Sequence, residues 1–291
     1  MTLVQLEVFQ SIVETGSFTK AGEVLGLTQS AVSHAIAGLE SEFGFTLFKR
    51  SRSGVLLTDE GQRMSSYVQH ILQLTQKIKQ EAAAIAGLET GTVRVGVFPS
   101  VAARWLPSMM KQFQSNHPAI KIKLFEGGYE EIQNWISSFA VDLGFLSLPA
   151  EVAFDTVPLV KDRLVAVLPK QHELAARDQL RVEEIANEPF IMPKAGCDAL
   201  VKQLFQKNRL KPNVVFEVAD NQAIVSLVQA GLGATILPEM TISPGQYQVV
   251  VKSLDEQVFR EIAIAVTSLE TVSPATRAFI ETAKQLMKEM E

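Results

Sequence analysis

Ser17-Phe18-Thr19-Lys20-Ala21-Gly22-Glu23-Val24-Leu25-Gly26-Leu27-Thr28-Gln29-Ser30-Ala31-Val32-Ser33-His34-Ala35-Ile36-Ala37-Gly38-Leu39-Glu40 is the stretch on which the fold turns. It reads as two short helices joined by a tight turn, the first over Phe18 to Leu25 and the second from Gln29 to about Glu40. Ala21, Leu25, Val32, Ile36 and Leu39 recur at helical spacing and can close one small core. Gly26 falls where the turn needs a positive φ, and Thr28 is placed to cap the second helix. The outward face of that helix carries Gln29, Ser30, Ser33 and His34, polar side chains suited to base edges and phosphates. The pattern is a helix-turn-helix, and it points to double-stranded DNA.

The flanks support that reading. Leu3, Leu6, Phe9, Ile12 and Val13 make an apolar stripe on a helix over residues 3–14. Phe43, Phe45, Leu47 and Phe48 complete the small core. Residues Phe48 to Leu57 read as a β-hairpin with a polar tip ending at Gly54, the wing of a winged helix-turn-helix. Arg50 and Arg52 on it are candidates for backbone phosphate or minor-groove contacts, and Thr28 for a phosphate at the helix N-terminus. Up to Leu57 the chain has Lys20, Lys49, Arg50 and Arg52 against Glu7, Glu14, Glu23, Glu40 and Glu42. The segment is not basic overall, but three of its cations cluster at the hairpin, and phosphate contacts act within a Debye length of about 8 Å.

Thr58 reads as a helix N-cap with Asp59 and Glu60 in the first turn. A proline-free helix then runs to about Ala86. Met64, Val68, Ile71, Thr75, Ile78, Ala82 and Ile85 form a heptad-like seam that suggests packing against a partner copy. Gly87 to Gly91 reads as a hinge. From Thr92 strands and helices alternate, the signature of an α/β fold with a largely parallel sheet. Strands are expected at Val93–Phe98, Ile120–Phe125, Leu143–Leu146, Leu164–Leu168, Phe190–Met192, Val214–Val218, Ala234–Leu237 and Glu261–Val266. Helices are expected at Ala102–Asn116, Glu130–Ser138, Ala199–Lys207, Gln222–Ala230 and Pro274–Met290.

In open α/β sheets ligands sit beyond the carboxyl ends of strands, against helix N-termini. That rule selects Ser100, Val101 and Ala102, then Glu126 and Gly127, Phe145, Gly196 and Cys197, and Asn221 as candidate ligand-binding residues. A single cysteine, Cys197, excludes an intrachain disulfide and fits a reducing compartment. Its bland reading, a small residue at a helix N-terminus, is preferred to a redox switch. His34, His70, His117 and His172 have no metal-ligand spacing, so no metal site and no cofactor are expected. Nucleophile elbow, phosphate loop and zincin motifs are all missing, and no base lies near Ser100 or Cys197 in sequence, which argues against an enzyme. No signal peptide or transmembrane run is visible, so a membrane or secreted role is not expected. That also counts against a solute-binding module with an unused helix-turn-helix.

The N-terminal residues resemble one known family, the LysR-type bacterial transcriptional regulators. The resemblance rests on Leu6, Phe9, Val13, Gly16-Ser17-Phe18-Thr19-Lys20-Ala21 and Leu25, on Gln29-Ser30-Ala31-Val32-Ser33, Ile36, Leu39 and Glu40, and on Gly44, Leu47-Phe48-Lys49-Arg50 and Leu57-Thr58-Asp59-Glu60-Gly61. Further on, Ala219-Asp220-Asn221 and Leu227 to Ala234 with Leu237-Pro238 match a recurring family stretch. Ser30 and His34 depart from the residues many relatives carry there, so no operator sequence carries over. The resemblance implies a winged helix-turn-helix (1–58), a dimerising linker helix and hinge (59–90), and a two-lobed periplasmic-binding-protein-like, type 2 effector domain (91–291). Lobe I is expected at about 91–161 and 266–291, and lobe II at about 162–265. It also implies a cytoplasmic homodimer or homotetramer that binds inverted-repeat promoter DNA, answers to a small effector between the lobes, and alters DNA bending or RNA polymerase contact.

Overall fold

The computed structural model describes residues 1–51, 54–87, 89–150, 152–194, 196–242, 245 and 247–290. Of the wing residues named above, Arg52 lies outside the described residues, and Arg50 is described in its backbone only.

Helix α1 (Leu3–Thr15) opens with a reciprocal cap between Thr2 and Gln5 and stops at Gly16, φ 65°. Ser17 caps α2 (Phe18–Leu25) by accepting the Lys20 N–H, and Gly26 at φ 68° ends it. Thr28 does the same for α3 (Gln29–Phe43) through the Ala31 N–H. Leu6, Phe9, Ile12, Ala21, Val32, Ile36, Leu39 and Leu47 form the buried core of this unit. The hairpin of β1 (Phe48–Ser51) and β2 (Gly54–Leu57) follows in antiparallel register, Lys49 opposite Leu56.

Thr58 caps α4 (Asp59–Ile85) through the Gly61 N–H. Gly61 is demanded by close approach: a Cβ there would lie 2.2 Å from the Leu47 carbonyl oxygen. At 27 residues α4 is about 40 Å long. Its apolar seam is divided between two tasks. Val68 is buried in the N-terminal core, with Met64, Ile71 and Leu72 packed against it. The upper part of the seam is bare, with Ile78 at 70% and Ile85 at 83% exposure, and Tyr67 and Leu74 are exposed beside it. On another face α4 docks on the C-terminal domain: buried Gln73 donates to Asp142 at 2.8 Å, and the His70 ring stacks on Phe139 at 3.7 Å.

The C-terminal domain contains β3 (Gly91–Val97), α5 (Pro99–Arg104), α6 (Leu106–Asn116), β4 (Ile120–Glu126), α7 (Tyr129–Ser137), β5 (Leu143–Leu148), β6 (Asp155–Pro169), β7 (Gln179–Leu180), α8 (Val182–Ala186), β8 (Pro189–Pro193), α9 (Asp198–Lys207), β9 (Asn213–Val218), α10 (Asn221–Gln229), β10 (Thr235–Pro238), β11 (Val249–Leu254), β12 (Phe259–Val266) and α11 (Pro274–Met290). One sheet runs β4-β3-β5-β12-β6-β11-β7, with β10 also on β6.

The long strand β6 is the link between two lobes. Asp155 to Arg163 pair with β12 in lobe I, whereas Leu164 to Pro169 pair with β10 and β11 in lobe II. Lobe I packs around Val95, Phe113, Phe145, Ile264 and Phe279. Lobe II has two packed faces, one around Phe190 and Phe205 and one around Ile191 and Val228.

Several expectations need correction. The sheet is mixed rather than largely parallel: β3, β4 and β5 run parallel, but β12 is antiparallel to both β5 and β6. The predicted helix Ala102–Asn116 is two helices that meet at Trp105, because Pro107 lacks the N–H a continuous helix needs. The first half of β6 was not foreseen, since Pro158 interrupts its alternation; it is accommodated where the register with β12 shifts at Ile262/Ala263. All of β12 lies in the lobe I sheet, so the return to lobe I precedes Phe259 rather than falling at 265/266, and the outward crossing falls at Arg163/Leu164 rather than at 161/162. Apolar periodicity identifies a strand but not the sheet it joins.

Candidate functional site

Two concave surfaces gather the polar residues singled out in the sequence. The first is a groove of about 430 Å³ between α3 and the hairpin, lined by Gln29, Ser33, Ala37 and Glu40 on the helix side and by Phe48, Lys49, Gly54 and Val55 on the other. Thr28, Gln29, Ser30 and His34 are exposed and Ser33 half-buried. The Gln29 side-chain amide donates to Ser33 Oγ at 3.0 Å, and the Thr28 and Ser30 hydroxyls pair at 3.0 Å, so this polar face is organised before any partner arrives. Glu40 sets the groove's width: its Oε1 accepts the Leu47 N–H at 2.6 Å, tying the base of the hairpin to α3. The Val55 N–H donates to the Gly16 carbonyl at 3.2 Å and fixes the second strand.

The second is a cavity of about 530 Å³ between the lobes. Lobe I supplies Phe98, Pro99 and Ser100 after β3, and Glu126 to Tyr129 after β4; lobe II supplies Gly196 and Cys197 after β8, and Ala219 to Gln222 after β9. Arg260 closes it from β12.

Arg260 is the centre of the site. Its side chain is 3% exposed, as is that of Asp162, its cross-strand partner on β6. Nη2 lies 2.5 Å from Asp162 Oδ2 and donates to Ser100 Oγ at 3.1 Å; Nη1 donates to the Tyr129 hydroxyl at 2.7 Å. The guanidinium lies 5.0 Å from the centroid of the Phe98 ring. Asp162 Oδ1 accepts the Met240 N–H at 3.1 Å. Burial pushes the Asp162 carboxyl above the usual carboxylate range, although Arg260 pulls it down. Burial also raises the Tyr129 phenol. The Cys197 thiol, 2% exposed, is pushed up to about 11 by burial, so it is a neutral thiol at physiological pH. Among the described residues no cluster of His, Cys, Asp or Glu is arranged to hold a metal ion, and no helix is long and apolar enough to cross a membrane.

Comparison with known proteins settles the family. The model of bacterial regulatory helix-turn-helix proteins of the lysR family matches residues 3–62, and that of the LysR substrate binding domain matches residues 86–288. The chain belongs to the LysR family. This LysR protein is similar to YvbU of Bacillus subtilis strain 168, named an uncharacterized HTH-type transcriptional regulator: 37% identity over 98% of this chain and 99% of that one. It shares the fold of a full-length OxyR variant from Pseudomonas aeruginosa, with a TM-score of 0.80, 23% identity, and 99% and 95% of the two chains covered. The effector binding domain of QuiR, solved in complex with shikimate, aligns with 69% of this chain and 98% of its own at 26% identity and a TM-score of 0.63. The chain is therefore a LysR-type transcriptional regulator, with a DNA-binding helix-turn-helix and an effector-binding domain.

Within this LysR fold, Ser100, Glu126, Gly127, Gly196, Cys197 and Asn221 line the inter-lobe cavity. Val101, Ala102 and Phe145 do not. Val101 and Phe145 are fully buried in the lobe I core, and Ala102 packs against it. One residue along α5 from Ser100 turns the side chain by about 100°, from cavity to core, and Phe145 lies in the middle of β5 rather than at its end. Sequence reasoning missed Arg260 and Tyr129 in the cavity and Ala37 in the groove; Lys49 entered it only as one of the clustered hairpin cations. A signal for Arg260 existed. It precedes Ile262 and Ile264 on the inward face of a strand, where an unpaired charge is excluded.

Proposed function

We propose that α3 reads the major groove of promoter DNA through Gln29, Ser30, Ser33 and His34, with Thr28 at a phosphate and the hairpin cations Lys49, Arg50 and Arg52 on the backbone or minor groove. The inter-lobe cavity is the effector site, formed by Ser100, Glu126, Gly127, Tyr129, Gly196, Cys197, Asn221 and Arg260. The functional division is a DNA-binding unit over 1–58, a linker over 59–90 and an effector domain from 91 onward. The observation that carries this reading is that the cavity takes its walls from both lobes, and that its floor residue Arg260 is held by Asp162 on β6, the strand that crosses between them. A ligand held there favours one lobe arrangement over another, and the two sites communicate through α4, which is packed on the N-terminal core at one end and docked on Asp142 further along.

The chain acts as a homodimer or homotetramer. Exposed Tyr67, Leu74, Ile78 and Ile85 follow one another at heptad spacings of seven, four and seven, which supports α4 pairing with a second copy. Paired recognition helices then meet an inverted repeat. The protein works by binding rather than catalysis, in the cytoplasm where promoter DNA lies, and its output is altered DNA bending or RNA polymerase contact.

Selection from a random double-stranded DNA pool with the purified full chain, at two salt concentrations, tests the DNA half. The expected product is an inverted repeat with half-sites about one turn (~10 bp) apart, held more weakly at the higher salt. Recovery of no common motif, or of motifs that survive loss of Gln29, Ser33 and His34 together, refutes it.

A further inference from the structure

The two walls of the inter-lobe cavity have opposite hydrogen-bonding character, and that asymmetry names a ligand. On the lobe I side the Ser100 and Tyr129 hydroxyl oxygens each accept from Arg260, which leaves each with its own O–H proton to give. Arg260 Nε is buried and has no hydrogen-bond partner. This wall offers donors. On the lobe II side the buried Asn221 Oδ1 has no partner, and the Asp220 carboxylate beside it accepts the Ala223 N–H at one oxygen, 2.8 Å away. This side offers acceptors and negative charge. Glu126, at the lobe I rim where β4 ends, adds a second carboxylate at the exposed mouth.

Charge narrows the class further. The guanidinium is already matched by Asp162, so the floor has no net charge to spend on a dianion, and Glu126 and Asp220 repel one at the mouth. From this we infer that the effector is a small monocarboxylic acid that also carries hydroxyl or ammonium groups. Its carboxylate is directed to Ser100, Tyr129 and Arg260, and its donors to Asn221, Asp220 and Glu126. A cavity of about 530 Å³ is of the size that holds such a molecule. Such a ligand bridges the lobes by satisfying a different deficit on each, which a molecule with only one kind of group cannot do. The inference rests on the cavity being the effector site.

The test is calorimetric titration of the full-length protein with matched six-carbon probes: gluconate and norleucine, which carry both kinds of group, hexanoate with the carboxylate alone, and sorbitol and hexylamine with donors alone. The expected result is binding of gluconate or norleucine at least tenfold tighter than any single-function probe. Tyr129→Phe should weaken that binding roughly tenfold or more while the protein stays folded, by loss of one hydrogen bond to a charged group. Equal affinity across the set, preference for sorbitol or hexylamine, or binding of neither bifunctional acid at millimolar concentration overturns the assigned class. Ala219→Trp, at an exposed position on the cavity wall, separates this from the underlying reading. If a bifunctional acid binds that variant with unchanged affinity, the cavity is not the site; if the variant abolishes binding of a single-function probe that the native protein prefers, the site stands and only the class fails.

Discussion

The Arg260–Asp162 pair is the feature whose energetics can be worked furthest. Both side chains are 3% exposed and meet as cross-strand partners at the junction of the lobes. Removing one member of such a pair strands the other, at a cost of about 3–5 kcal/mol. For a domain of this size that is a fall in Tm of roughly 6–20 °C. The two halves should differ in their pH dependence. Asp162→Ala leaves a guanidinium that cannot deprotonate, so the variant keeps no titrating group at this site. Arg260→Met leaves a carboxylate already raised by burial, and loss of the cation raises it further. A carboxyl whose folded pKa lies above its unfolded value near 3.9 adds stability at low pH and loses it as pH rises through that window, by about 1.4 kcal/mol per unit. Arg260→Met should therefore regain stability relative to the native protein as pH is lowered, while Asp162→Ala should not. The double variant should cost at least 2 kcal/mol less, in round terms (~2), than the two singles together. Trp105 and Trp135 are the only tryptophans, and both lie in lobe I, so fluorescence-detected urea unfolding reads this domain alone. Additive single effects, or the same pH profile for both variants, would refute the pair as a mutually dependent unit.

Further outcomes follow from other contacts. Gly61→Ala forces a Cβ against the Leu47 carbonyl; thermal circular dichroism should show about 1–3 kcal/mol lost from the N-terminal unit with the tryptophan transition unchanged, and an unaltered profile would mean the close approach is not required. Lys49→Ala should weaken binding to all DNA sequences alike and lower the salt slope by about one. Gln29→Ala should instead relax preference at one base position, at about 1–3 kcal/mol; a uniform loss from Gln29→Ala would displace it from the groove. With its thiol pushed up to about 11, Cys197 is only about one part in a thousand thiolate at pH 8, so alkylation of the native protein should be far slower than of the urea-unfolded chain and should rise about tenfold per pH unit. Comparable rates in both states would show the thiol is accessible and ionised. Ile78→Asp should shift sedimentation toward the monomer, and an undisturbed oligomer would move the interface off α4.

How much could be read from the sequence depended on how local the determinants are. Caps and turns were readable because each is closed within a few residues: Thr28 with Ala31, Thr58 with Gly61, and Gly26 at its positive φ. The cavity residues at strand ends, such as Ser100, Gly127 and Asn221, were readable because the parallel pairs β3–β4 and β8–β9 bring their carboxyl ends to the cavity. The seam of α4 was read as one surface and proved to be two, since periodicity shows which residues share a face but not which partner covers it. Met64, Val68 and Ile71 are spent on the chain's own core, and of the apolar seam Ile78 and Ile85 are left bare.

Arg260 shows where local reading ends and what replaces it. Its partner Asp162 is 98 residues earlier, so no window of sequence contains the pair. Yet each residue breaks the same rule in its own strand. Val160, Asp162 and Leu164 alternate inward on β6, and Arg260, Ile262 and Ile264 alternate inward on β12. A charge at an inward position of an apolar strand is tolerated only when something opposite in sign meets it. Two such violations of opposite sign in one domain predict each other as partners, and since neither strand is close to the other in sequence, the meeting point must be where the chain returns on itself. In a two-lobed fold that place is the crossover between lobes. The buried charges therefore locate the junction where β6 passes from one lobe to the other.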